Sequence, residues 1–237
     1  MGPVLTLLHT SPAHVAAFDA LRDRDHPGLP LRHVVAEPLL AQARAQGVAS
    51  VRDALDRALA EAVAAGADAV LCTCSTIGGL AEARAAAAGI PVLRVDRPMA
   101  AAAVAVPPRA GHQAVRIALV AALADTLGPT RELIAEEAAR AGRQVEVADF
   151  VAEGAWALFE AGEQDAYLAA VAKAVDAVRD AEVVVLAQAS MAQAAALATT
   201  PLPVLSSPAL GLTAAVAAGR QDLRYGRSTA LRALPGA

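Results

Sequence analysis

Aromatic residues make up only 3 % of this 237-residue chain, and cysteine occurs just twice. With so few flat rings there is little for nucleobases to stack on. The net charge of −4 comes with no basic stripe to follow a phosphate backbone, so nucleic acid is not expected as a partner. No apolar run approaches the ~20 residues that span a bilayer, so no membrane partner is expected either. The opening Met1-Gly-Pro-Val-Leu-Thr6 has no basic stretch before its apolar residues and does not read as a signal peptide. It formally fits a myristoylation pattern, which we set aside because the stretch reads better as the start of a first strand. Cys72 and Cys74 stand one residue apart and leave no spaced disulfide framework. That fits a reducing, cytoplasmic setting in which thiols are kept for chemistry or packing.

What the chain has in quantity is alanine and other apolar residues, 56 % hydrophobic in all. Alanine favours helix and lets elements approach closely. Short apolar runs alternate with longer helical stretches. Strands are expected at 4–8, 31–35, 69–72 and 91–95, with helices near 13–22, 51–64 and 78–88 between them. Val51, Leu55, Leu59 and Val63, four apart, share one helical face.

The order then repeats, with strands at 117–121, 145–150, 183–187 and 203–205 and helices at 130–141, 167–178 and near 192–198. Asp68-Ala-Val-Leu-Cys-Thr-Cys-Ser75 is answered by Glu182-Val-Val-Val-Leu-Ala-Gln-Ala-Ser190, and Ile90-Pro-Val-Leu by Leu202-Pro-Val-Leu. Asp68 lies 23 positions before Pro91, and Glu182 lies 21 before Pro203. The prediction is an α/β chain of two pseudo-symmetric, Rossmann-like (flavodoxin-like) halves with mostly parallel sheets. One half is expected over 1–100 with a returning C-terminal helix at 208–237, the other over 101–207, with linkers near 98–112 and 206–208.

Ligands on such sheets sit beyond the carboxyl ends of the strands. Two facing halves would set both groups of loops on one cleft. The candidate residues therefore follow the strands: His9-Thr10-Ser11, Cys74-Ser75-Thr76, Asp125-Thr126 and Gln188-Ala189-Ser190. Cys74 comes first among them, because it ends a strand and is followed by capping residue types and a helical run. Backbone N–H groups there favour a thiolate and can hold a carboxylate or an enolate oxygen. Cys72, inside its strand, reads as a buried small hydrophobe. His9 fits an acid/base role, a polar anchor for substrate, or a structural hydrogen bond. His14, His26, His33 and His112 read as surface or packing residues. Asp125-Thr126 fits a helix cap as well as a substrate contact. A zinc site needs about four ligands, and no Cys/His cluster accompanies the cysteine pair. A Gly-x-Ser-x-Gly elbow and a Gly-x-Gly-x-x-Gly fingerprint are both missing.

These residues resemble the aspartate/glutamate/hydantoin racemase superfamily over nearly the whole chain. Cys74-Ser75-Thr76 is similar to that family's Cys-Asn-Thr motif. Leu186-Ala-Gln-Ala-Ser-Met191 is similar to the Leu-Gly-Cys-Ala-Gly-Met motif of the hydantoin-racemase branch, as is Thr126-Leu-Gly-Pro-Thr130 to a loop of that branch. The resemblance implies an active site between two halves and chemistry with no metal or organic cofactor. One cysteine removes a proton beside a carboxylate and a second delivers one to the opposite face.

Cys74 matches the first cysteine, and Gln188 stands where the second would be. Gln188 exchanges hydrogen bonds but shuttles no proton at neutral pH. Related arylmalonate decarboxylases work with one thiol that protonates from one side. The expectation is a cofactor-independent racemase or isomerase-like enzyme acting on a small carboxylate. Cys74 and His9 would be catalytic, while Thr10, Ser11, Ser75, Thr76, Asp125, Thr126, Gln188, Ala189 and Ser190 would bind substrate. A one-thiol lyase and a non-catalytic binding protein are the alternatives. Alanine-rich helices can also pack against a second copy, which leaves a homo-oligomer open.

Overall fold

The computed structural model describes residues 4–230, with side chains through Arg220. The myristoylation pattern at Gly2 lies outside the described residues, as does the end of the expected returning helix beyond 230. The chain forms two four-stranded parallel sheets. The first contains β1 (Leu5–His9), β2 (Leu31–Val35), β3 (Ala69–Cys72) and β4 (Val92–Arg94), in the order β2-β1-β3-β4. The second contains β5 (Ala114–Ala121), β6 (Gln144–Val151), β7 (Val183–Leu186) and β8 (Val204–Ser206), in the order β6-β5-β7-β8. The helices are α1 (His14–Asp25), α2 (Glu37–Gln46), α3 (Arg52–Ala64), α4 (Ser75–Ala83), α5 (Ala85–Ala88), α6 (Arg97–Ala105), α7 (Leu127–Ala141), α8 (Ala155–Glu160), α9 (Gln164–Ala177) and α10 (Ser207–Ala230). Short 3₁₀ segments occupy Val48–Val51, Ala124–Thr126 and Ala189–Ala196. No helix of the described residues is long and apolar enough to cross a membrane.

Strand position follows composition. The inner strands β1, β3 and β7 are buried at every residue, as strands covered on both faces are; β3 and β7 are unbroken apolar runs, while β1 also buries Thr6 and His9. The outer strand β6, Gln-Val-Glu-Val-Ala-Asp-Phe-Val, alternates in exposure over its first five residues. In the first sheet, Leu8, Val70 and Cys72 pack with α2, α3 and α4 through Leu39, Leu55, Leu59 and Ile77. On its other face, Leu5, Leu7 and Leu71 meet Phe18 of α1 and Leu212, Ala215 and Val216 of α10. Each large aliphatic side chain removed from water there contributes about 1.5–3 kcal/mol.

The repeat extends to individual hydrogen bonds. The Asp68 carboxylate accepts from the Val4 N–H at 2.7 Å, and the Glu182 carboxylate accepts from the Arg116 N–H at 2.5 Å. Thr73 N–H donates to Leu8 O at 3.0 Å, and Ala187 N–H donates to Val120 O at 2.9 Å. Ala36 N–H donates to His9 O and Ala152 N–H to Ala121 O, both at 2.8 Å.

Both expected linkers are partly helical. Within 98–112, α6 runs from Arg97 to Ala105, and Met99, Ala100, Ala103 and Val104 are buried against the second sheet. Pro98 falls in its first turn, where the missing N–H would have had no helical partner. At 206–208, Ser206 ends β8 and α10 begins at Ser207, with Pro208 again in the first turn. One compact unit runs to Val95 and resumes at Gly211, and the other is Asp96–Leu210. Each sheet therefore sends the helix after its last strand to the other unit. Gly211 marks the tightest approach of α10, since a Cβ there would run into the carbonyl oxygen of Val95. The expected helix near 192–198 runs as 3₁₀ turns that start earlier, at Ala189.

Candidate active site

In the order β2-β1-β3-β4 the chain leaves β1 to one side for β2 and returns on the other side as β3. The carboxyl ends of β1 and β3 thus form the topological switch point, where open parallel sheets bind ligands. Two sequence candidates meet there. Thr10 and Ser11 follow β1, and Cys74 follows β3 at the N-cap of α4, with extended backbone (φ −107°, ψ 117°). Cys74 is half-buried and Cys72 fully buried. Ser75 and Thr76, both half-buried, form the first turn of α4, whose leading N–H groups have no partner within the helix. The backbone N–H groups of Thr10 and Ser11 meet no acceptor among the described residues. Gly78 and Gly79 let α4 lie close on Arg94 of β4, since a Cβ on Gly78 would stand 3.0 Å from the Arg94 Cβ.

The second unit repeats this arrangement with different side chains. Gln188 lies two residues past β7, as Cys74 lies two past β3, and it occupies the same N-cap position with similar backbone (φ −119°, ψ 139°). Its amide oxygen accepts from the N–H groups of Ala122 and Leu123, at 2.7 and 3.3 Å. By strand register these two residues correspond to Thr10 and Ser11. The second unit thus supplies its own oxygen to the donors that stand open in the first.

Other candidates are engaged locally. The Ser190 hydroxyl lies 2.7 Å from the Tyr167 phenol, and burial pushes that phenol up to about 12 although the Ser190 bond pulls the other way. Tyr167 was read in sequence only as part of a helix. Asp125 is exposed in a 3₁₀ turn, and the Thr126 hydroxyl donates back to Leu123 O at 2.7 Å. Ala189 starts the 3₁₀ segment after Gln188.

His9 is completely buried, with both ring nitrogens occupied. Its Nδ1 is 2.8 Å from the Thr73 hydroxyl and its Nε2 is 2.9 Å from His33 Nδ1. Burial first, then the neighbouring His33 and His14, lower its pKa to about 3, and Asp19 opposes them weakly. His33, read as a surface or packing residue, is instead tied into this group, and its Nε2 reaches the Asp19 carboxylate at 3.3 Å. Sequence gave no sign of this, because Asp19, His33 and His9 come from three separate elements. Among the described residues, no three His, Cys, Asp or Glu side chains gather as a metal-binding group.

Residues 8–215 match the family model described as Asp/Glu/Hydantoin racemase. No curated protein matches the chain. Among solved structures, a glutamate racemase isoform from Bacillus anthracis aligns with TM-score 0.68 at 13 % identity, covering 94 % of this chain and 82 % of that one. Allantoin racemase from Klebsiella pneumoniae gives TM-score 0.61 at 19 % identity, with 95 % and 89 % covered. A sulfate-associated mutant of arylmalonate decarboxylase gives 0.61 at 18 %, with 92 % and 94 % covered. At these identities the solved structures establish a shared fold.

Proposed function

Since the chain belongs to the Asp/Glu/Hydantoin racemase family, we propose that it moves a proton at the carbon beside a small substrate's carboxylate, with Cys74 as acid/base. In this reading the N–H groups of Thr10 and Ser11 and the first turn of α4, with the Ser75 and Thr76 side chains, hold the carboxylate. The observation that carries it is the pairing of Cys74 with open backbone donors at the β1/β3 switch point. In the second unit the equivalent donors already hold the Gln188 amide oxygen, which supports an oxygen ligand for them in the first. Donors fixed before the reaction stabilise the charge that develops as the α-proton leaves. The reaction uses no organic cofactor: Cys74 exchanges the proton on one face of the carbon, and inversion takes its second proton from a solvent molecule on the opposite face.

Of the branches, the hydantoin-racemase-like one fits best. What supports it is the similarity of Leu186-Ala-Gln-Ala-Ser-Met191, which runs from the end of β7 into the 3₁₀ turn, to the second motif of that branch, and in this reading Gln188 takes the place of the motif's cysteine. Ala189, Ser190, Asp125 and Thr126 would contribute the rest of the binding surface.

The test is proton exchange in heavy water with each enantiomer of candidate α-carbon acids. Deuterium uptake with inversion supports the racemase reading, and Cys74→Ala should abolish it. Full activity in Cys74→Ala would sink the thiol mechanism. A second reading is favoured by Gln188 itself, which carries no transferable proton. A single thiol suits a lyase in which carbon dioxide leaves and Cys74 protonates the enediolate from one side. Loss of carbon dioxide from a malonate-type acid, with one product enantiomer, would decide for it. A protein that binds such acids and does neither is the non-catalytic alternative.

A further inference from the structure

The group formed by Asp19 of α1, His33 of β2, His9 of β1 and Thr73 after β3 ends one residue from Cys74, and His9, expected from the sequence as a catalytic group, lies fully buried in it with both ring nitrogens engaged. Its hydrogen bonds can be counted proton by proton. The Leu8 carbonyl oxygen can only accept, so the Thr73 hydroxyl, 3.2 Å away, donates to it. His9 Nδ1 must then carry a proton and donate to the Thr73 oxygen at 2.8 Å. With Nδ1 protonated and the ring neutral, His9 Nε2 accepts from His33 Nδ1–H at 2.9 Å. His33 Nε2, facing the Asp19 carboxylate at 3.3 Å, donates as well. Every contact is satisfied when His9 donates from Nδ1 and accepts at Nε2, with His33 bridging His9 and the Asp19 carboxylate.

The other charged or titratable groups around this line are Arg22, 3.0 Å from Asp19, and His14, whose ring centre lies 6.2 Å from that of His9. Phe18 covers the His9 ring at 5.6 Å between centres. The line thus runs from the partly exposed Asp19 carboxylate to a buried hydroxyl at the end of β3.

We propose that Asp19 and His33 are positioning residues for the Cys74 loop, because they hold His9 in its Nδ1–H form and His9, through Thr73, fixes the end of β3 from which Cys74 enters α4. The proposal rests on the reading of Cys74 as the working thiol.

Nitrogen NMR of the imidazole rings in the full-length chain tests the tautomer directly. His9 is expected to show a protonated Nδ1 and a bare Nε2 at neutral pH, and its Nε2 signal should move in Asp19→Asn and His33→Gln. In parallel, iodoacetamide alkylation of Cys74 is followed against pH. Asp19→Asn, His33→Gln and Thr73→Val should slow it by roughly tenfold and alter its pH profile, the scale on which outer partners of a reactive group act. Thr73→Ser, which keeps the hydroxyl, should restore the wild-type profile. A His9 protonated at Nε2, or an unchanged Cys74 profile in Asp19→Asn and His33→Gln, would overturn the proposal. Asp19 is partly exposed, so its variant reports even if Thr73→Val does not fold. If Cys74→Ala retains full turnover, the thiol mechanism fails while the tautomer result still stands or falls by itself.

Discussion

The amide oxygen of Gln188 lies 2.7 Å from the backbone nitrogen of Ala122 and closes, within the second unit, the pair of donors that the first unit leaves open at Thr10 and Ser11. Gln188 is therefore a clasp between the ends of β5 and β7, and in the proposal above it also stands where the family motif has a cysteine. Gln188→Cys should release the Ala122 and Leu123 N–H groups and cost about 1–2 kcal/mol of stability, read from urea unfolding. It also restores one cysteine per repeat, so racemisation of an accepted α-carbon acid should appear or rise. A folded variant with wild-type exchange at both faces would count against the equivalence of the two positions.

The two cysteines should differ sharply in reactivity. Cys74 is half-buried at the start of α4, whereas Cys72 is enclosed in the core and directs its thiol toward the Cys74 carbonyl at 3.8 Å. Mass mapping after brief iodoacetamide treatment at neutral pH should find label on Cys74 long before Cys72. Equal labelling of the folded protein would place both in an inert core.

Much of this fold could be read from the sequence because its inner strands are mostly apolar and its repeat is written in matching residues. Asp68 and Glu182, aligned by sequence alone, make the same carboxylate clasp to the N-terminal end of the neighbouring strand, β1 or β5. The returning helix α10 was expected from Leu210 onward, but the start of both crossovers was hidden for the opposite reason. Pro98 and Pro208 suggest breaks, but each sits in a first helical turn, and α6 and α10 cross between units as helices. Of the site, Cys74 was visible because a strand end, a cap and a helix are local signals. His33 was not, since its partners Asp19 and His9 are joined to it only by the pairing of β1 with β2 and the packing of α1.

Thr6 is the one fully buried side-chain polar atom among the described residues with no hydrogen-bond partner. It lies in β1 on the face shared by Leu8, against an apolar layer, and is 1 % exposed. Thr6→Val keeps the branched shape and removes an unsatisfied hydroxyl, so it should stabilise the protein by about 1 kcal/mol. A rise in the urea midpoint at unchanged slope is the expected result. A clear loss would mean that the hydroxyl has a partner in solution, such as a bound water.

Acid should weaken the fold through His9. Its ordinary pKa is 6.5 and burial holds it at about 3 in the folded chain. Between those values the unfolded chain binds a proton at this ring and the folded chain does not. Stability therefore falls as pH drops from 6.5 toward 3, with a slope of up to about 1.4 kcal/mol per pH unit from this residue. His14, whose pKa is also lowered by burial, adds to the loss in the same direction. Urea unfolding of the wild type and of His9→Gln across this range separates the two. His9→Gln should be less stable at neutral pH, because the amide fills the ring's space poorly and breaks the line from Thr73 to Asp19. Its further loss on acidification should nevertheless be shallower, because no ring is left there for the unfolded chain to protonate. An identical slope in both proteins would show that His9 takes up its proton without unfolding, through an opening of the β1 and β2 ends that leaves the rest of the sheet paired.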